Sequence, residues 1–207
     1  GTQVPPQVMK VVITKQNYYR YEGNVYVVPA SGHYVVQDSV AINDPTPNGN
    51  NNHLMDYGEA NQLTFRAKNV GSVVANNVNI KVTTTSPYIT MTDSTENFGN
   101  IAAGGTAIVN NAFAYNVSNF IPDNTSVTFN VTATSGSDVW TSSFSLIGHA
   151  SLVKMGTNII TDSTGNNNGR LDPGESVKFK IALRNQGSSE ARNVSAKLTT
   201  TSPYITM

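Results

Sequence analysis

Asp162, Asn166, Asn168, Asp172 and Glu175 crowd into residues 161–176, a glycine-rich stretch with no helical period. Side chains of this kind offer oxygen, and hard divalent cations take about six to eight oxygen ligands from carboxylates, amides, carbonyls and water. Four of them supply side-chain oxygens, Arg170 can add its carbonyl, and Glu175 can close the shell from below. Gly165, Gly169 and Gly174 permit the tight turns such a loop needs. The spacing is like, but not equal to, an EF-hand loop. An edited copy at residues 43–59 keeps Asp44, Asn50, Asn52, Asp56 and Glu59, and replaces Gly169 by His53 and Arg170 by Leu54. Structural calcium in both loops is the expectation. The competing reading is an ion-free connector of Asx turns, with Glu59 and Glu175 bonding to loop amides.

Catalysis has little to draw on. Cysteine is absent, and with it thiol nucleophiles, disulfides and thiolate metal sites. The imidazoles are His33, His53 and His149, and no Gly-x-Ser-x-Gly elbow occurs. Asp56 and Glu59 could imitate a glycosidase carboxylate pair, but their repetition in two loops suits a structural site better. The chain is therefore expected not to be an enzyme, though it can be a non-catalytic part of one. A binding surface is the alternative. Tyr18, Tyr19 and Tyr21, with Tyr26, cluster near the N-terminus, and Tyr57 lies in the first loop. Tyrosines can stack on sugars or partner proteins; they also pack strand edges. Asn-x-Ser/Thr triplets at Asn116, Asn124, Asn130 and Asn193 are what chance yields in a chain rich in these residues.

Only 13% of residues are charged and the net charge is zero, against about 25% charged in ordinary domains. No Lys/Arg cluster offers a footprint for nucleic acid. No apolar run approaches the ~18 residues of a membrane span. Asn, Thr, Ser and Val carry the composition, which favours strands and turns over helices. The chain opens Gly-Thr-Gln, as a processed or engineered fragment does.

A repeat organises these elements. Residues 83–91 and 199–207 are the same nine residues, 116 positions apart. At that offset Asp56, Gly58, Glu59, Asn69, Gly71 and Asn77 fall on Asp172, Gly174, Glu175, Asn185, Gly187 and Asn193; before the loops the offset is 118, with two extra residues near Pro45–Pro47. A unit of this size suits an immunoglobulin-like sandwich of roughly 100 residues. The fold class expected is all-β, as tandem immunoglobulin-like modules. Residues 1–32 would be the final hairpin of a preceding module, 33–149 a complete module, and 150–207 the first half of a second. Half a sandwich leaves a bare core face, so it requires either further chain or strand exchange with the N-terminal hairpin of this or another copy.

Period-two alternation predicts strands at 35–42, 62–69, 77–84, 87–91, 107–114, 126–134 and 139–147, then 177–183 and 193–199. Leu63, Phe65, Ala67, Val78, Ile80, Val82, Val127, Phe129, Val131 and Ala133 should point inward, with Trp140 in the core.

The run from Leu171 to Leu198 resembles CARDB-like immunoglobulin-type modules of bacterial secreted proteins. An Asn-x-Gly turn follows the second strand (Asn69–Gly71, Asn185–Gly187), and an Ala-x-Asn-Val step opens the third (Ala75–Val78, Ala191–Val194). Such modules are similar to those appended to gingipain-type secreted cysteine peptidases, whose catalytic Cys and His have no counterpart here. The resemblance implies a secreted or cell-surface bacterial protein. Its task would be spacing, presentation or adhesion, or substrate docking for a peptidase. Neighbouring modules, surface glycans or host proteins would be its partners.

Overall fold

The computed structural model describes residues 7–17, 19–27 and 31–207, and these contain strands and turns but no helix. The strands are β1 (Gln7–Ile13), β2 (Tyr21–Val27), β3 (Val35–Asn43), β4 (Met55–Asp56), β5 (Ala60–Asn69), β6 (Ala75–Thr83), β7 (Ile89–Asp93), β8 (Thr95–Ile101), β9 (Thr106–Val117), β10 (Thr125–Ser135), β11 (Asp138–His149), β12 (Val153–Thr161) and β13 (Lys178–Asn185).

β3 to β11 form a β-sandwich. One sheet runs β3-β5-β9-β7 and the other β4-β11-β10-β6-β8. Alternation decides which face is buried: Leu63, Phe65 and Ala67 of β5, Val78, Ile80 and Val82 of β6, and Val127, Phe129, Val131 and Ala133 of β10 all turn inward as their spacing predicts. Aromatic rings join the sheets: Phe65 of β5 meets Phe98 of β8 edge-on at 5.7 Å, and Tyr115 of β9 lies 5.3 Å from Phe129 of β10. Within the sheets, Phe65 meets Phe113 edge-on at 5.3 Å and Phe129 stacks on Phe144 at 5.2 Å. Each fully buried ring of this size contributes about 1.5–3 kcal/mol.

The chain enters and leaves the sandwich at opposite poles. At one pole Tyr34 N–H donates to Asn69, and His33 packs against Trp140 beside Asp138. At the other, the last residues of β11 pair in parallel with β4, Gly148 with Met55 and His149 with Asp56. The loop between β3 and β4 crosses from one sheet to the other there.

Two sequence expectations need correction. The strand predicted at 193–199 does not form. Its counterpart β6 is held between β8 and β10, and no counterpart of either follows within these 207 residues. β8 was not predicted: its run Thr-Glu-Asn-Phe-Gly-Asn-Ile alternates poorly, and Gly99 sits at a positive φ of 68°. The outer hairpins stand apart. Among the described residues β1 pairs only with β2, and β12 only with β13, so there the N-terminal hairpin does not complete the second unit within one chain. Met155, Ile159, Phe179 and Leu183 are exposed on β12–β13.

Candidate metal centre

Both acidic loops fold the same way around their aspartates, because each aspartate has loop donors at matching positions. In the first loop, Asp44 accepts from the Asn52 N–H at 3.0 Å and the His53 N–H at 2.9 Å. In the second, Asp162 accepts from the Asn168 N–H at 2.9 Å and the Gly169 N–H at 3.3 Å. Asn50 and Asn52 donate their side-chain amides to Asp56 at 2.7 and 2.8 Å; Asn166 and Asn168 do the same to Asp172 at 2.8 and 2.7 Å. These two donors hold the Asp172 carboxyl below its ordinary range. The exchange of Gly169 for His53 has a conformational meaning. Both positions are left-handed, with φ of 76° and 63°, and His53 offsets that cost by placing Nδ1 3.0 Å from the Ile42 carbonyl. Gly49 and Gly165 are close-approach positions: a Cβ would overlap the Asp44 carbonyl in one loop and the Glu175 carboxylate in the other.

The loops differ in burial, because only the first is enclosed. Asp56 lies in β4 against β11, and the Glu59 carbonyl accepts the Val117 N–H at 2.8 Å. Asp44, Asp56 and Glu59 are therefore 0%, 1% and 2% exposed. Burial raises the Glu59 carboxyl above its ordinary value, the Asp56 and Asp44 charges raise it further, and Arg192 of the second unit opposes them from 3.4 Å. In the second loop Asp162 is buried, while Asp172 and Glu175 are half-exposed. Glu175 accepts the Asn166 N–H at 3.0 Å.

The fit to a cation can be judged from which oxygens remain free. Asn50 and Asn52 turn their NH2 groups inward, and their oxygens accept the Asn52 and Leu54 N–H groups. Asn166 and Asn168 repeat this. To ligate a cation these amides must rotate. Among the described residues no three His, Cys, Asp or Glu side chains converge as a ready-made metal cluster. Yet Asp56 Oδ1, Glu59 Oε2 and Glu175 Oε2 have no hydrogen-bond partner. A buried carboxylate oxygen left bare costs about 1–3 kcal/mol or more, so the first loop fits a positive ligand on its inner side.

The tyrosines do not form one platform. Tyr19 and Tyr21 are exposed near the N-terminal hairpin; Tyr18 lies outside the described residues. Tyr57 is half-buried against the core, and its hydroxyl donates to the Glu190 carbonyl at 2.9 Å.

Sequence reasoning missed the junction around Asp123. This carboxylate accepts the Ala150 N–H at 3.0 Å, the Ser188 N–H at 3.2 Å and the Ser188 hydroxyl. The Ser188 hydroxyl is the main cause of its lowered pKa. His149 Nδ1 lies 2.7 Å from the same Ser188 hydroxyl. Nothing in the local pattern Pro-Asp-Asn-Thr marks Asp123 as a contact to a turn 65 residues away. The first loop, Asp123 and the end of β11 thus form one seam with residues 185–192. No protein-family model matches this chain, and no curated protein matches it at a significant level.

Proposed function

We propose that the chain is a non-catalytic spacer or presentation segment built from tandem immunoglobulin-like modules of a secreted or cell-surface bacterial protein. Calcium bound in the first loop stiffens the step from one module to the next. The observation that carries this reading is the position of that loop. It is bonded to the body of the sandwich through β11 and β9, and to the next unit through Tyr57 and Glu59. The likeness of residues 171–198 and their earlier copy to CARDB-like modules supports the same reading, and an enzyme, anchor or adhesive partner would then lie elsewhere in the parent protein.

The test is thermal unfolding of this chain with calcium and with chelator. Occupying one site at 100 times its dissociation constant adds about 2.7 kcal/mol. An unchanged transition, with Asp56→Ala equally indifferent to calcium, removes the calcium part. Turnover of an ester, peptide or glycoside by the purified chain removes the non-catalytic part. Exposure of Tyr19 and Tyr21 favours a second reading, a carbohydrate- or protein-binding face; binding to glycans that disappears in a Tyr19→Ala, Tyr21→Ala double variant would establish it.

A further inference from the structure

Behind the first loop the sandwich contains polar side chains that its own packing leaves unsatisfied. Asn61 is 1% exposed and Tyr115 fully buried, and neither the Asn61 amide nor the Tyr115 hydroxyl makes a hydrogen bond of good geometry, each having only the other close by. The two sit directly opposite each other on β5 and β9. The Asn61 amide stands close enough to soften the upward shift that burial imposes on the Tyr115 hydroxyl, and Asp44 lies near enough to add to that shift. Strand alternation puts Asn61 on the same inward side as Glu59, two residues earlier, and both are buried. Asp56 Oδ1 and Glu59 Oε2 are bare at the same pole. Ordinary interiors pair such groups, so four neighbouring side chains with unmet polar atoms mark a missing ligand.

We propose that the first loop holds its cation from the inside. Asp56 and Glu59 supply carboxylate oxygens, Asn61 its carboxamide oxygen, and the Tyr115 hydroxyl bonds a water on the ion. The ligand class is a hard divalent cation of calcium type, which accepts such a mixed oxygen set. This rests on the calcium reading above and replaces the turned-away Asn50 and Asn52 with an inner wall. It also separates the two loops. At the offset of 116 the residue matching Asn61 is Val177, so the second loop lacks the inner amide and binds more weakly.

The experiment uses the whole chain. Calcium affinity is measured by calorimetry for the parent, Asn61→Val and Asn61→Asp, and terbium emission excited through tyrosine is compared in the parent and Tyr115→Phe. Circular dichroism checks that each variant is folded. Asn61→Val, which installs the residue of the second loop, should weaken calcium binding about tenfold or more. Asn61→Asp should tighten it. Tyr115→Phe, which removes one hydroxyl, should lose most of the sensitised emission. Unchanged affinity in both Asn61 variants, or unchanged emission in Tyr115→Phe, overturns the inner site while leaving calcium in the loop. No binding of either ion by the parent chain overturns both readings.

Discussion

Asn69 and Asn185, 116 residues apart in sequence, make the same three hydrogen bonds. Each oxygen accepts the N–H of the residue just before a strand (Tyr34 before β3 at 3.1 Å, Leu152 before β12 at 2.9 Å) and the N–H of a glycine two residues on, at 3.0 Å. Each amide nitrogen donates at 2.7 Å to a carbonyl four residues on, Val73 or Ser189. Asn69 adds a fourth bond, to Ile101 at 3.0 Å. The Asn-x-Gly turn is thus a fastening that ties the incoming chain to the start of each unit.

Asn69→Ala should be among the most damaging single changes. It leaves buried donors and acceptors unpaired, each costing about 1–3 kcal/mol, so a loss of at least 3 kcal/mol is expected in urea denaturation of the sandwich. Asn185→Ala should leave that transition within about 0.5 kcal/mol and disturb only amide exchange around Leu152 and Gly187.

Gly187 and Gly71 are close-approach positions in the same fastening. A Cβ would overlap the Ala150 carbonyl at the first and the Gly32 carbonyl at the second. Backbone cannot move aside as a side-chain tip can, so Gly71→Ala should destabilise the sandwich by about 1–3 kcal/mol. Gly187→Ala should break the seam between units, seen as loss of amide protection at Gln186 and Ser189, whose N–H groups bond back to Leu152 and Ala150.

Asp44→Ala tests the loop without reference to any ion. It removes the acceptor for the Asn52 and His53 N–H groups. A destabilisation of about 2–4 kcal/mol is expected, and it should persist in chelator. If the whole effect vanished in chelator, Asp44 would act through the cation and not as an acceptor for loop amides.

The seam should open in acid. The Asp123 carboxyl is lowered chiefly by the Ser188 hydroxyl. Its folded value lies below the unfolded one of about 3.9, so its contribution is complete above the unfolded value and is lost as pH falls through the folded one. In an acid titration the Ser188 and Ala150 amide resonances should move together with a midpoint below that of a free aspartate. Asp123→Asn should flatten both curves.

Most strands of the sandwich were legible because they present one apolar face; Leu63, Phe65 and Ala67 announce β5 by alternation alone, whereas the two-residue β4 and the poorly alternating β8 carry no such signal. The repeat made the two loops legible as a pair, and the residues singled out by chemistry include Asp44, Asp56 and Glu59, all buried. What alternation could not show was which atoms those loops leave free. Asn50 looks like an oxygen ligand in sequence, yet the Asn52 N–H claims its oxygen. Asn61 lies just before the strand predicted at 62–69, and only the observed start of β5 at Ala60 carries the inward alternation of Leu63, Phe65 and Ala67 back to it. The strand expected at 193–199 failed because a strand is defined by its neighbours, and likeness to β6 in sequence cannot supply β8 or β10.

The opposite-pole path of the chain has a mechanical consequence. Tension applied through Tyr34 and His149 runs along the strands, so the ladders are pulled in shear and their hydrogen bonds share the load instead of parting one by one. The parallel pairing of β4 with the end of β11 lies directly in that line. A loop that first drew notice for its carboxylates therefore sits where a stretched tether would be gripped.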